Sequence, residues 1–296
     1  MPTPRPRRRS RACTAGHHAS RCDRAWGGLL VPDRASMVRR LACAPVIGRV
    51  IHWIGSRYRE GSVTTIRYGH AAGLRWRRHH RYVSGYRLGI YELEVQDALV
   101  QLIRPGMRVF DIGANTGFFT LLLAKLVGPD GEVIAVDPDP ANIASLREQA
   151  ELNPELRVLP VHAAVGASAG RATLRAAQPG SPLAQVLPDA SGEGALHVVT
   201  IDDLVRAHGA ADFIKMDIEG AELDALAGAD GALTRPGCAW LIETHGLDIG
   251  HQVWTCLERN GYQPRRLHAE DRDPSSLQAQ DHLMAAAVQG PALGSG

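Results

Sequence analysis

The sequence predicts an α/β fold, a mostly parallel sheet with helices on both faces and a small N-terminal cap in front of it. Three observations predict it. Short segments rich in Val, Ile, Leu and Phe recur from Arg108 onward, amphipathic segments of helical period alternate with them, and Val109–Thr120 runs from an apolar strand through a glycine turn into a helix. That alternation marks crossover units, whose helices cover a parallel sheet on both sides.

Taken in order, residues 1–36 show neither helical nor strand period and read as a disordered, arginine-rich arm. They form no secretory signal, because the best apolar centre, Leu41 to Ile54, is broken by Arg49, and Met37 offers an alternative start. Cys13, His17, His18 and Cys22 match no structural zinc spacing. Residues 37–90 read as an N-terminal helix and a cap in which Ile66, Leu74, Trp76, Tyr82 and Tyr86 interleave with Arg and His. The third region, residues 91–296, opens with a helix over Tyr91–Ile103, stopped by Pro105-Gly106. Strands are expected at 108–112, 132–136, 157–163, 213–217 and 239–243, where short apolar runs meet turn residues. Helices are expected at 118–126, 141–152, 221–233 and 249–260, where the apolar period is 3.6. Residues 167–200, rich in Gly, Ala, Ser and Pro, interrupt the alternation as an excursion with a short strand pair.

The 296 residues are 45% hydrophobic, enough for at least one sizeable core. No apolar run reaches the roughly 18 residues of a membrane span, since Phe118 to Val127 contains Lys125. Residues 1–104 carry 20 Arg against 6 acids, and residues 105–296 carry 13 basic residues against 25 acids. Only Lys125 and Lys215 are lysines, so the arginine excess reflects composition rather than a nucleic-acid groove, and no nucleic-acid partner is expected. The five scattered cysteines make no disulfide framework, which points to a reducing, cytoplasmic setting.

The chemistry is written at strand ends. In Val109-Phe-Asp-Ile-Gly-Ala-Asn-Thr-Gly117, glycines at 113 and 117 let the backbone approach a ligand, the helix start supplies free N–H donors, and Asn115 tolerates positive φ. The spacing is not that of a dinucleotide fingerprint, and Asp111 would repel a pyrophosphate while suiting a cation. Asp137, at the end of the next strand and followed by Pro138, is placed to take the hydroxyls of a ribose. One acid for an ammonium and one for a ribose describe S-adenosylmethionine. An NAD-dependent oxidoreductase is the rival that shares the strand and loop. A second segment, Asp212 to Glu222, brings Lys215, Asp217 and Glu219 to the same edge of the sheet, with Glu219 and Glu222 in a helix's first turn. A third, Leu241-Ile-Glu-Thr-His245, adds Glu243 and His245.

These residues resemble a family. Phe110 to Phe119, Thr200-Ile-Asp-Asp-Leu204, Phe213 to Glu222 and Ile242 to His245, preceded by Gly73-Leu-Arg-Trp76 and Leu88 to Glu92, are similar to the FkbM family of S-adenosylmethionine-dependent methyltransferases, over about residues 63–290. The resemblance implies the Rossmann-like class I methyltransferase fold, a seven-stranded sheet whose final hairpin, near 262–267 and 282–288, is reversed. It also implies O-methylation of a sugar, glycolipid or polyketide-type hydroxyl. Asp137 stands where many relatives have Glu, and either acid binds a ribose diol. The candidate cofactor residues are Glu92, Asp111, Gly113, Asn115, Thr116, Gly117, Asp137, Pro138 and Ala164. For the displacement itself His245 is expected as the base, Asp217 and Lys215 as orienting groups and Glu243 as the group that tunes His245. No metal is assigned, with Mg²⁺ on Asp217, Glu219 and Glu243 as the alternative. The expected partner is a small-molecule or saccharide acceptor, and a homo-oligomer is left open.

Overall fold

The structure, a computed structural model, describes residues 58–175, 185–188, 195–267 and 272–286. The arm at 1–36, the helix expected after Met37 and the end of the last expected strand at 287–288 lie outside the described residues.

The cap opens with a two-stranded antiparallel hairpin, β1 (Val63–Thr65) and β2 (Arg75–Arg77), followed by helices α1 (Ser84–Leu88) and α2 (Leu93–Leu102). The repeating units follow as β3 (Arg108–Ile112), α3 (Phe118–Val127), β4 (Glu132–Asp137), α4 (Pro140–Leu152) and β5 (Val158–His162). Consecutive strand residues such as Val109 and Phe110, or Val133 and Ile134, have no exposed surface, so both faces of the sheet are covered. The excursion holds β6 (Ala164–Val165), β7 (Gly170–Arg175), β8 (Gln185–Pro188) and β9 (Leu196–Val199), a second sheet of four strands in the order β6-β9-β7-β8. That is one strand pair more than the sequence suggests.

Next comes α5 (Ile201–His208), a helix missed in the sequence. Its signal was present: Thr200 Oγ1 accepts from the N–H of Asp203, and Asp203 returns the bond to the N–H of Thr200, a capping box. β10 (Phe213–Met216) stops one residue short of the expected end. The single helix expected at 221–233 is instead two, α6 (Glu222–Ala227) and α7 (Asp230–Thr234). The break falls at Gly228, where a Cβ would lie 2.4 Å from the carbonyl oxygen of Gly166, and the Asp202 carboxylate caps α7 by accepting from the N–H groups of Gly231 and Ala232. β11 (Ala239–His245) runs two residues longer than expected, and α8 (Leu247–Arg259), β12 (Arg265–Arg266) and β13 (Gln280–Ala286) complete the described chain.

The main sheet has the order β12-β13-β11-β10-β3-β4-β5. β13 alone runs antiparallel to β11, and it pairs antiparallel with β12, so the reversed hairpin is present. The chain moves outward from β3 to β5 and then returns to β10 on the other side of β3, which makes the gap beyond the carboxyl ends of β3 and β10 the topological switch point.

Candidate active site

Asp111 leaves β3 with no exposed surface, and Gly113 follows at φ 81°. A Cβ on Gly113 would meet the carbonyl oxygen of Asp217 at 1.8 Å, so only glycine lets the loops after β3 and β10 touch. Asn115 takes φ 49°, as its place in the turn requires. Its backbone N–H donates to Asp137 Oδ2 at 2.8 Å, while Asp137 Oδ1 accepts from Asp139 N at 2.9 Å and Asn142 Nδ2 at 3.1 Å. Asp137 therefore ties the loop to β4. Burial pushes its carboxyl up to about 6 against the pull of these donors.

Among the described non-glycine residues only Glu92, Asn115 and Glu219 have positive φ, and all three stand around this edge of the sheet. The edge opens into a crevice, part of it continuous with solvent. Of the residues expected from the sequence, Asp111, Gly113, Asn115, Thr116, Lys215 and Asp217 line it; Glu92, Gly117, Asp137, Pro138, Ala164, Glu243 and His245 do not. Ala164 is buried in the core of the small sheet with Ala172 and Leu196. The cap supplies Arg81, Tyr82, Tyr86 and Tyr91 to the opposite wall. Arg81 went unread in the sequence, because nothing separates it from its neighbouring arginines.

Lys215 is nearly buried, its Nζ 3.8 Å from Asp111 Oδ1, 3.7 Å from Asp217 Oδ2 and 5.1 Å above the Phe119 ring. Burial works against its charge, but Asp217 and Asp111 outweigh it and hold the ammonium above its ordinary pKa. Burial raises Asp217, with Lys215 opposing. Behind them, Nδ1–H of His245 donates to Glu222 Oε1 at 2.8 Å, and Nε2 lies 3.4 Å from Glu219 Oε2 and 3.8 Å from both Asp217 Oδ1 and Glu243 Oε1. The bond to Glu222, with the charges of Glu219 and Asp217, lifts His245 to about 9, so it is an imidazolium at neutral pH. Glu243 Oε2 meets His282 Nε2 at 3.1 Å, and Oε1 accepts from Gln280 Nε2 at 2.5 Å. Although burial opposes them, these contacts draw Glu243 down to about 2. His282 went unread because its place depends on the register of β13, where it pairs with Glu243 from 39 positions further along. Donor atoms of Asp217, Glu243 and His245, and of Glu92, Glu243 and His282, lie within 4.8 Å of one another. Either set would hold a cation only after its histidine gave up a proton.

An open sheet with this strand order, one reversed strand and an acid–glycine loop at its switch point defines a class I methyltransferase. The sequence profile of the Methyltransferase FkbM domain matches residues 111–264, just over half of the chain. The chain belongs to the FkbM methyltransferase family, whose cofactor is S-adenosylmethionine. Ribosomal RNA large subunit methyltransferase E of Sorangium cellulosum is 40% identical over 55 residues, 19% of this chain and 26% of that protein. Protein-L-isoaspartate O-methyltransferase 1 of Arabidopsis thaliana is 37% identical over 65 residues, 21% of this chain and 28% of that protein. The chain thus matches only about a quarter of the length of these curated relatives. Among solved structures, Methyltransferase FkbM from Methylobacillus flagellatus KT is 18% identical, covers 83% of this chain and 60% of its own, and has a TM-score of 0.41. Aeropyrum pernix fibrillarin in complex with natively bound S-adenosyl-L-methionine is 16% identical, with 63% and 68% coverage and a TM-score of 0.40.

The site fits that cofactor on its own evidence. Asp111 Oδ2 accepts from Thr120 Oγ1 at 2.5 Å, but Oδ1, buried at the crevice wall, has no hydrogen-bond partner among the described residues. A cationic donor such as the ammonium of S-adenosylmethionine would satisfy it, next to the Lys215 ammonium 3.8 Å away.

Proposed function

We propose that this chain transfers a methyl group from S-adenosylmethionine to a hydroxyl of a sugar, glycolipid or polyketide-type small molecule, and that Asp217 receives the hydroxyl's proton. The observation that carries the reading is the contact between the Gly113 turn and Asp217 at the switch point, which sets a polar acceptor end directly beside the cofactor loop. The cofactor supplies an electrophilic methyl on a sulfonium, and the protein's part is mainly alignment. A base must reach the proton it removes. Asp217 lines the crevice, whereas His245 does not and is already charged. His245 and Lys215 then flank Asp217 as orienting cations, in place of the base role expected for His245 from the sequence. Tyr82, Tyr86 and Tyr91 offer apolar faces with polar edges, suited to a saccharide or a macrocycle. The acids Asp111, Asp217, Glu219, Glu222 and Glu243 disfavour a phosphate backbone at the same edge. Cys238 and Cys256 are free thiols, which supports a reducing, cytoplasmic setting for the reaction.

Incubation with labelled S-adenosylmethionine and a panel of glycans, glycolipids and macrolides tests the acceptor class. On an acceptor so found, Asp217→Asn is expected to lower kcat by roughly 10²–10⁴ with cofactor affinity within about twofold. If Asp217→Asn keeps its turnover and the parent's kcat climbs with pH through about 9, His245 is the base after all.

A further inference from the structure

One carboxylate at the acceptor end takes no part in the reaction as drawn. Glu222, the first residue of α6, has no exposed surface, and a buried charge is costly unless it is paired. A helix start accounts for an acid at this position but not for its burial, since an exposed acid serves a helix start equally well. Glu222 Oε1 accepts from the Gly220 N–H at 3.0 Å and from His245 Nδ1 at 2.8 Å, and Oε2 has no hydrogen-bond partner among the described residues. The second contact joins α6 to the last residue of β11, 23 positions further on. With Nδ1 held, Nε2 is the nitrogen left near Glu219 and Asp217, at 3.4 and 3.8 Å. Without a partner at Nδ1, only the longer contacts of Nε2 with Glu219, Asp217 and Glu243 oppose a turn of the ring that would present carbon in place of Nε2.

We propose that Glu222 is a positioning residue for the acceptor end of the site: it holds His245 by Nδ1 so that Nε2 faces Asp217 and Glu219. The kinetic consequence rests on the reading of Asp217 as proton acceptor. Glu222 acts through His245 on the carboxylate that meets the acceptor, so its loss falls on kcat and leaves cofactor affinity alone.

The test uses the full chain labelled with ¹⁵N-histidine. The parent is expected to show a slowly exchanging, low-field Nδ1–H signal for His245, assigned by its absence from His245→Ala. That signal disappears in Glu222→Ala and survives, weakened, in Glu222→Gln, which keeps the shape and an acceptor oxygen. On an acceptor found as above, Glu222→Ala is expected to lower kcat about ten- to a hundredfold with cofactor Kd within about twofold. The loss vanishes when the change is made in His245→Ala, because the two residues act as a unit. Should Glu222→Ala fail to fold, Glu222→Gln carries the same comparison. An unchanged His245 signal in the variants, or additive losses in the double variant, makes Glu222 a plain helix-start acid and overturns the proposal. A panel that yields no O-methylated product while the signal still depends on Glu222 fails the O-methyl reading and supports the tie.

Discussion

Lys215 is one of two lysines among 33 basic residues, and its surroundings explain the exception. The compact ammonium stands between Asp111 and Asp217 against the Phe119 ring, where a larger planar guanidinium fork would have to displace its neighbours or turn into the crevice. Lys215→Arg is therefore expected to cost about 1–3 kcal/mol of stability by overpacking and to weaken cofactor binding, read by urea unfolding and calorimetry. A variant with parental values in both would make the lysine an accident of composition. His245 gives a second prediction through its charge. Its folded pKa, about 9, lies above the ordinary 6.5, so its contribution to stability is fully present below pH 6.5 and is lost as pH rises through 9. Half-burial discounts the contribution to about 1–2 kcal/mol. The parent should lose more stability than Glu222→Gln between pH 6 and 9.5 in urea titrations, by the share of that contribution that Glu222 supplies beside Glu219 and Asp217; equal losses would show that Glu222 does not raise the histidine. The residues that sequence reasoning found, Asp111, Asn115, Lys215 and Asp217, share one property. Each sits within three residues of the carboxyl end of a strand, where local sequence sets its position, while His282 and Arg81 reach the site through sheet register and cap packing, which local sequence does not encode.

At the scale of elements, the cap is fastened to the core by a device that no periodicity reveals. Gln149 on α4 and Asn153 at its C-cap, one turn apart, turn their amides to β2: Gln149 bonds both N–H and C=O of Arg77, and Asn153 both groups of Arg75, all at 2.8–2.9 Å. Two side chains thus stand in for a neighbouring strand, while Trp76 between them points inward onto Tyr82, Tyr86 and Phe118. Changing both amides to alanine leaves partly buried backbone groups unpaired, at about 1–3 kcal/mol for each. The expected result is faster hydrogen exchange at residues 63–77 with protection of β3 and β4 kept. Uniform loss of protection would mean that the cap and the core open together. The same contrast explains which elements were legible. β3 matches its expected bounds residue for residue because five apolar or strand-end residues sit between two turns. The helix at 221–233 broke because Gly228 must pass the backbone of Gly166, a contact from 62 positions away, and α5, which follows a polar, glycine-rich stretch, was passed over although the Thr200–Asp203 box and the helical spacing of Ile201, Leu204 and Val205 mark it.

At the scale of the whole molecule, the return of the chain from β5 to β10 sets the loops after β3 and β10 side by side, and the reading of the protein depends on what fills the gap between them. The gap is acidic where a dinucleotide would need to lodge its phosphates, and among the described residues that line it Asp111 offers a buried carboxylate oxygen with no hydrogen-bond partner. A ligand that binds only the folded chain stabilises it by RT ln(1 + [L]/Kd), about 2.7 kcal/mol at a hundred times Kd. For a protein of this size, that shift corresponds to roughly 5–10 °C in Tm. S-adenosylmethionine is expected to produce it, and NAD at the same concentration to produce none. Asp111→Asn removes a charge-assisted partner and weakens binding about ten- to a hundredfold. At the same cofactor concentration it should keep only about 0.4–1.4 kcal/mol of the stabilisation, a rise of a few degrees at most above its own cofactor-free Tm. Equal shifts in parent and variant would show that Asp111 does not meet the cofactor's cation. A shift with NAD and none with S-adenosylmethionine would contradict the family's cofactor at this site.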